Sequence, residues 1–135
     1  NIVSLIEKTL GTLASKQITV LGTAFKPNTD DIRDSIAIEL IKKLLKKKSR
    51  ITIYDPKAMK NIKDVFEEKI IYARSATEAL NKSQCAILMT HWKQFEKLNN
   101  SSIKHMNKKF VIDCRRILVE KKLQAEYHAI GIGKI

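Results

Sequence analysis

Apolar residues along this chain recur in two rhythms, and the rhythms alternate. Between residues 2 and 14, Ile2, Val3, Leu5, Ile6, Leu10 and Leu13 fall on one helical face with Glu7 and Lys8 opposite, which predicts an amphipathic helix. From Ile18 onward short apolar runs predict strands over 17–22, 50–54, 69–72, 84–89, 109–114 and 127–131. Helical spacing predicts helices over about 34–48, near 58–67 and over 75–82, then turns and a short helix around 93–106 and a weaker helical stretch near 117–123. The segment 34–48 is the clearest: Ile36, Ala37, Leu40, Ile41, Leu44 and Leu45 form its apolar stripe, and Asp34 or Ser35 can cap its free amides.

Strand and helix alternating in this way imply crossover units on a mostly parallel sheet. The expected fold is α/β, an open, doubly wound, Rossmann-like sheet of five to six strands. It lacks G-x-G-x-x-G, since the first strand exit offers only Gly22. The pyrophosphate cradle of a dinucleotide-binding domain is therefore missing, and this is not expected to be a main NAD site. At 135 residues and 44% hydrophobic, the chain suits one compact domain. It opens at Asn1 rather than Met. We expect a piece of a longer protein, with residues 1–16 a linker helix from an upstream domain and 17–135 the ligand-binding domain.

No run approaches the ~20 apolar residues that span a bilayer, and no basic, then apolar, leader pattern opens the chain. A cytoplasmic location away from membranes is the expectation. Cys85 and Cys114 sit inside apolar runs, where a thiol behaves as a small core hydrophobe. His91, His105 and His128 show no metal-ligand spacing with them, so no metal is expected. With 26 Lys plus Arg against 14 Asp plus Glu, the net charge is +12, which favours anionic partners. A basic α/β nucleic-acid-binding module is the alternative this charge suggests. The cations are mostly lysines on solvent-facing helical positions, and only 6% of the chain is aromatic, which makes nucleic acid the weaker reading.

The chemistry concentrates at strand exits, where ligands of α/β proteins bind. Between the first strand and the helix at 34–48 lie Lys26, Asp30, Asp31 and Arg33, two cations around two carboxylates in eight residues. Lys26, behind Pro27, can reach a phosphate or a sugar carboxylate, or stand solvated. Asp30 and Asp31 have no neighbouring nucleophile or His, and turn chemistry ahead of a helix accounts for them. Arg33, so close to a helix N-terminus, is poorly placed against the helix dipole and calls for an anion, either a ligand or those carboxylates. Tyr54-Asp55-Pro56 reads as a turn, although an acidic residue there can hold a ribose in a true dinucleotide fold. Trp92 can stack on a base or cover the sheet edge, and Arg115 and Arg116 follow the apolar run FVID.

Five segments in order, GTAFKPNTDDIRDS from Gly22 to Ser35, Tyr54-Asp55-Pro56, Thr90-His91-Trp92, Asp113-Cys114-Arg115-Arg116 and Gly131-Ile132-Gly133, resemble the C-terminal, UDP-binding domain of the UDP-glucose/GDP-mannose dehydrogenase family. The likeness spans nearly the whole chain from Ile18. It implies that Phe25, Lys26 and Arg115 contact the nucleotide-sugar and that Arg33 reaches the pyrophosphate of an NAD bound mainly by another domain. It implies further that the full-length protein oxidises the sugar C6 alcohol of a UDP-sugar, UDP-glucose first among them, to a carboxylate with two NAD, through a cysteine of a different domain. NAD-binding and central domains upstream, a homodimer and an inactive isolated fragment follow from the same likeness. Cys114 stands where the family usually has Gly, and His91 where it commonly has Glu.

Overall fold

The structure, a computed structural model, describes residues 1–24 and 26–131. Six strands form one sheet: β1 (Gln17–Leu21), β2 (Arg50–Tyr54), β3 (Ile71–Tyr72), β4 (Cys85–Leu88), β5 (Phe110–Asp113) and β6 (Glu126–Ala129). Their spatial order is β3-β2-β1-β4-β5-β6 and every pairing is parallel. The chain builds outward from β1 to β3, then returns to lay β4 against the other side of β1. That reversal creates a switch point at the carboxyl ends of β1 and β4, the place where open α/β sheets bind ligands.

Four α-helices accompany the sheet: α1 (Ile2–Leu10), α2 (Ile36–Lys46), α3 (Met59–Phe66) and α4 (Ala76–Leu80). Because strand side chains alternate between faces, the sheet carries two cores. On one face Ile18, Val20, Ile51, Ile53, Ile87, Phe110 and Ile112 pack with Ile6 of α1, Ile41 and Leu44 of α2 and Ile62 of α3. On the other, Leu21, Ala86, Leu88 and Val111 meet Leu80 of α4 together with Trp92, Phe95, Ile103, Met106 and Leu118. The second face thus has one short helix and is otherwise covered by turns and a five-residue 3-10 segment, Lys93–Lys97.

Element ends follow local chemistry. Asn1 caps α1 by accepting from the Ser4 amide at 2.9 Å, and Gly11, at φ 78°, ends it before the predicted residue 14. Leu13 is still buried, so the apolar pattern there belongs to the core although the helix has stopped. Ser35 rather than Asp34 caps α2, accepting from the Ile38 amide. The helix expected near 117–123 is absent. Arg116 and Lys122 take positive φ, and the Leu118 amide is drawn onto the Asp113 carboxylate instead of an intrahelical carbonyl. The sheet takes residues 126–129 as its last strand rather than 127–131, and Gly133 of the closing motif lies outside the described residues.

Candidate functional site

The short segment that leaves β1 is held by side chains from three other elements. Asp55, immediately after β2 and 1% exposed, accepts from the Thr23 amide at 2.7 Å, the Ala24 amide at 3.3 Å and the Thr23 hydroxyl at 3.3 Å through one oxygen. Its other oxygen accepts from the Lys57 and Ala58 amides at 2.9 and 2.8 Å. Thr90, after β4, donates its hydroxyl to the Ala24 carbonyl at 2.8 Å, and the Ser35 hydroxyl donates to the Thr23 carbonyl. Gly22 has φ 84°, and a Cβ there would lie 2.6 Å from the Thr90 Cβ. The first strand exit is therefore closed against β4 with no room for a side chain.

This arrangement does not fit a dinucleotide in the crevice of this sheet. A carboxylate offers about four lone-pair sites, and Asp55 already receives five donors, so no capacity is left for a ribose hydroxyl. The reading of Asp55 as a turn residue agrees with these contacts.

Past that anchored segment the loop carries its cations outward. Phe25 lies outside the described residues, and Lys26 is exposed. Arg33 grips Asp31 with two parallel bonds, Nε to Oδ1 at 3.0 Å and a terminal nitrogen to Oδ2 at 2.8 Å, while its backbone amide also donates to Oδ1 at 2.9 Å. That guanidinium on the carboxylate, with the Arg33 amide behind it and Lys26 nearby, holds Asp31 down at about 2 against an ordinary 3.8. The anion that Arg33 calls for is thus Asp31, which fits the structural reading of that carboxylate. The loop also leans toward α3, where Asn61 donates to the Asp30 carbonyl at 2.8 Å.

Arg115 approaches the switch point from the other side. Its backbone amide donates to Asp113 Oδ1 at 3.1 Å and its Nε to the Met89 carbonyl at 3.0 Å, so the side chain reaches back across the end of β4. Parallel strands lie ~4.8 Å apart, which puts the β1 and β5 exits about 10 Å from one another with β4 between them. The structure therefore brings Lys26 and Arg33 together around Asp31, and sets Arg115 at the β4 end beside the Gly22–Thr90 contact. A groove of about 820 Å³ runs between α1 and α2, lined by residues that include Ser4, Glu7, Ile36 and Lys43 but neither Lys26, Arg33 nor Arg115. Arg116, the second arginine, is exposed.

The remaining candidates are structural. Trp92 is 6% exposed within the second core, which matches covering the sheet rather than stacking on a base, and its Nε1 has no partner among the described residues. His91 is exposed and contacts Glu96 at 2.8 Å. Both cysteines are buried and free. Burial pushes the Cys85 thiol far up and the Cys114 thiol up to about 12, so neither is a nucleophile. Among the described residues no cluster of metal-ligating side chains occurs, and no helix is long and apolar enough to cross a membrane. Sequence reasoning missed the positioning duties of Thr23, Ser35 and Thr90, because hydroxyl groups in a motif carry no sign of the distant backbone they bind.

The strand order and the single glycine at the exit of β1 define a Rossmann-like α/β domain that lacks the glycine-rich dinucleotide turn. The UDP binding domain of the UDP-glucose/GDP-mannose dehydrogenase family matches residues 19–120, and the chain belongs to this family. It is 37% identical over 126 residues to a UDP-glucose 6-dehydrogenase of Rickettsia prowazekii, an alignment covering 90% of this chain and 29% of that protein. It is 42% identical over 110 residues to the UDP-glucose 6-dehydrogenase AglM of Haloferax volcanii, covering 82% of this chain and 25% of that one. A solved UDP-glucose dehydrogenase from Pyrobaculum islandicum superposes with a TM-score of 0.81 at 32% identity, over 93% of this chain and 28% of that structure. The chain thus spans less than a third of the length of these relatives.

Proposed function

We propose that this chain is the nucleotide-sugar-gripping domain of an NAD-dependent UDP-glucose 6-dehydrogenase, which in its full length oxidises UDP-glucose to UDP-glucuronate in the cytoplasm. The observation that carries the reading is the family match over residues 19–120, which includes the β1 exit, the β4 exit and the Asp113–Arg116 turn. Lys26 and Arg115, with Phe25, hold the nucleotide-sugar, and Arg33 reaches toward the NAD pyrophosphate once Asp31 yields it. Residues 1–16 link this domain to the NAD-binding and central domains of the same protein, which assembles as a homodimer.

What the chain's own residues contribute is placement. A diphosphate moving from water to a site edged by Lys26 and Arg115 exchanges solvent for charge-assisted hydrogen bonds, and fixing it there holds the sugar for a reaction carried out by other parts of the protein. A guanidinium presents its donors in a rigid plane, and anchoring Nε on the Met89 carbonyl sets that plane before any ligand arrives. NAD, when bound, supplies the hydride acceptor. By itself the chain performs no oxidation.

Calorimetric titration of the chain with UDP tests this. Charge-assisted hydrogen bonds of about 1.5–3 kcal/mol predict that Lys26→Ala and Arg115→Ala each weaken UDP binding by roughly 10- to 100-fold. Lys26→Ala leaves the melting temperature unchanged, since the residue is exposed. Absence of UDP binding by the unaltered chain, alongside binding to duplex DNA with a steep salt dependence, would replace this reading with the basic nucleic-acid module.

A further inference from the structure

β5 ends on a carboxylate that no solvent reaches. Asp113 is 0% exposed, and its two oxygens collect three donors: the Arg115 amide at 3.1 Å, the Leu118 amide at 2.8 Å and the Tyr127 hydroxyl at 2.6 Å. Two of these close the turn that follows β5. The third comes from the neighbouring strand β6, where Tyr127 sits opposite Val111, so its ring lies along the sheet and delivers the hydroxyl to the strand end. The ring packs against the second core, and nothing about that packing requires the hydroxyl.

A buried carboxylate keeps its orientation only while its donors hold it. Here the orientation has a consequence, because Arg115 is joined to Asp113 through its amide and to the Met89 carbonyl through its guanidinium. Rotation of the Asp113 carboxylate displaces the amide of Arg115 and with it the root of the side chain that lies across the end of β4.

We infer that Tyr127 is a positioning residue for Arg115: its hydroxyl pins the Asp113 carboxylate, and that carboxylate sets the turn from which Arg115 reaches a nucleotide-sugar. The inference rests on the reading of Arg115 as a nucleotide-sugar contact.

The test uses the full chain, Tyr127→Phe, Arg115→Ala and the double variant, with Tyr72→Phe as control. Tyr72 donates its hydroxyl to the Glu67 carbonyl at the far β3 edge, so its loss removes a comparable hydrogen bond elsewhere. Titration with UDP is expected to show Tyr127→Phe binding about tenfold more weakly, Tyr72→Phe binding like the unaltered chain, and Tyr127→Phe adding less than twofold in the Arg115→Ala background. A general loss of structure would instead weaken both backgrounds alike, and that outcome overturns the inference. An independent measurement needs no ligand: the ¹⁵N Nε–H resonance of Arg115, protected by the Met89 carbonyl, shifts and exchanges faster in Tyr127→Phe. An unchanged Arg115 Nε–H signal in that variant overturns the inference whatever UDP does. Failure of the unaltered chain to bind UDP strikes the nucleotide-sugar reading, while the resonance still decides whether Tyr127 positions Arg115.

Discussion

Asp55 and Asp113 each follow or end a strand, each is buried, and each is held by backbone amides together with one hydroxyl, Thr23 for Asp55 and Tyr127 for Asp113. Such a carboxylate stands in for the missing helical or ladder partners of a tight turn, and it lets two loops leave the sheet at fixed angles. Asp31 is the contrasting case, exposed and held by Arg33. Its carboxyl titrates at about 2 in the folded chain against 3.8 ordinarily. With the folded value below the unfolded one, the contribution of this contact is complete above pH ~4 and is lost as pH falls through about 2. Because the group is exposed, the effect on stability is small, and titration is the sensitive readout. In Arg33→Ala the Asp31 side-chain carbon resonance should titrate clearly above 2 yet below 3.8, because the backbone amide of residue 33 still donates to Oδ1; a midpoint that stays near 2 would mean that the guanidinium is not what depresses it.

Among the elements, the decisive contact is between two strand exits. Gly22 packs its bare Cα against Thr90, whose hydroxyl then reaches the Ala24 carbonyl. Gly22→Ala would place a methyl carbon 2.6 Å from the Thr90 Cβ in a backbone region that L residues avoid. The expected loss is about 2–4 kcal/mol, read from urea unfolding, and Thr90→Ala combined with it should recover part of that loss by making room. No recovery would show that the backbone conformation alone demands glycine. At this scale the sequence was a good guide to strands and to α2, whose spacing of Leu40, Ile41 and Leu44 admits one buried face. It failed at 117–123, because Leu118 and Leu123 carry an apolar signal that turns can bury as well as a helix can. What ends the helical option there is the pull of Asp113 on a single amide, a contact made only once β5 is in place.

Across the whole molecule, one parallel sheet separates two cores, and the two thiols belong to the first of them. Cys85 and Cys114 are 0% and 3% exposed, and burial raises both thiols. Thiol labelling at pH 8 should therefore proceed at the rate of global unfolding, accelerating with urea in step with loss of the folded signal. Labelling much faster than unfolding would reveal a local opening at the β4 or β5 exit. The +12 charge is spread over solvent-facing lysines, and of Lys42, Lys43, Lys46, Lys47 and Lys48 on and just after α2, only Lys42 and Lys47 are in ion pairs among the described residues.

The alternation of apolar runs with helical stripes determined the α/β class, the parallel sheet and the place of Lys26, Arg33 and Arg115 on the segments that follow β1 and β5, since burial periodicity and crossover length follow from local sequence. Tertiary structure alone decided the strand order, the partnership of Arg33 with Asp31, the saturation of Asp55, the closing of Gly22 on Thr90 and the placing of Arg115 through Asp113 and Tyr127. The physical reason is one of range. A hydrogen bond or a close approach between residues dozens of positions apart leaves no periodic trace, and exists only after the sheet has brought their strands side by side.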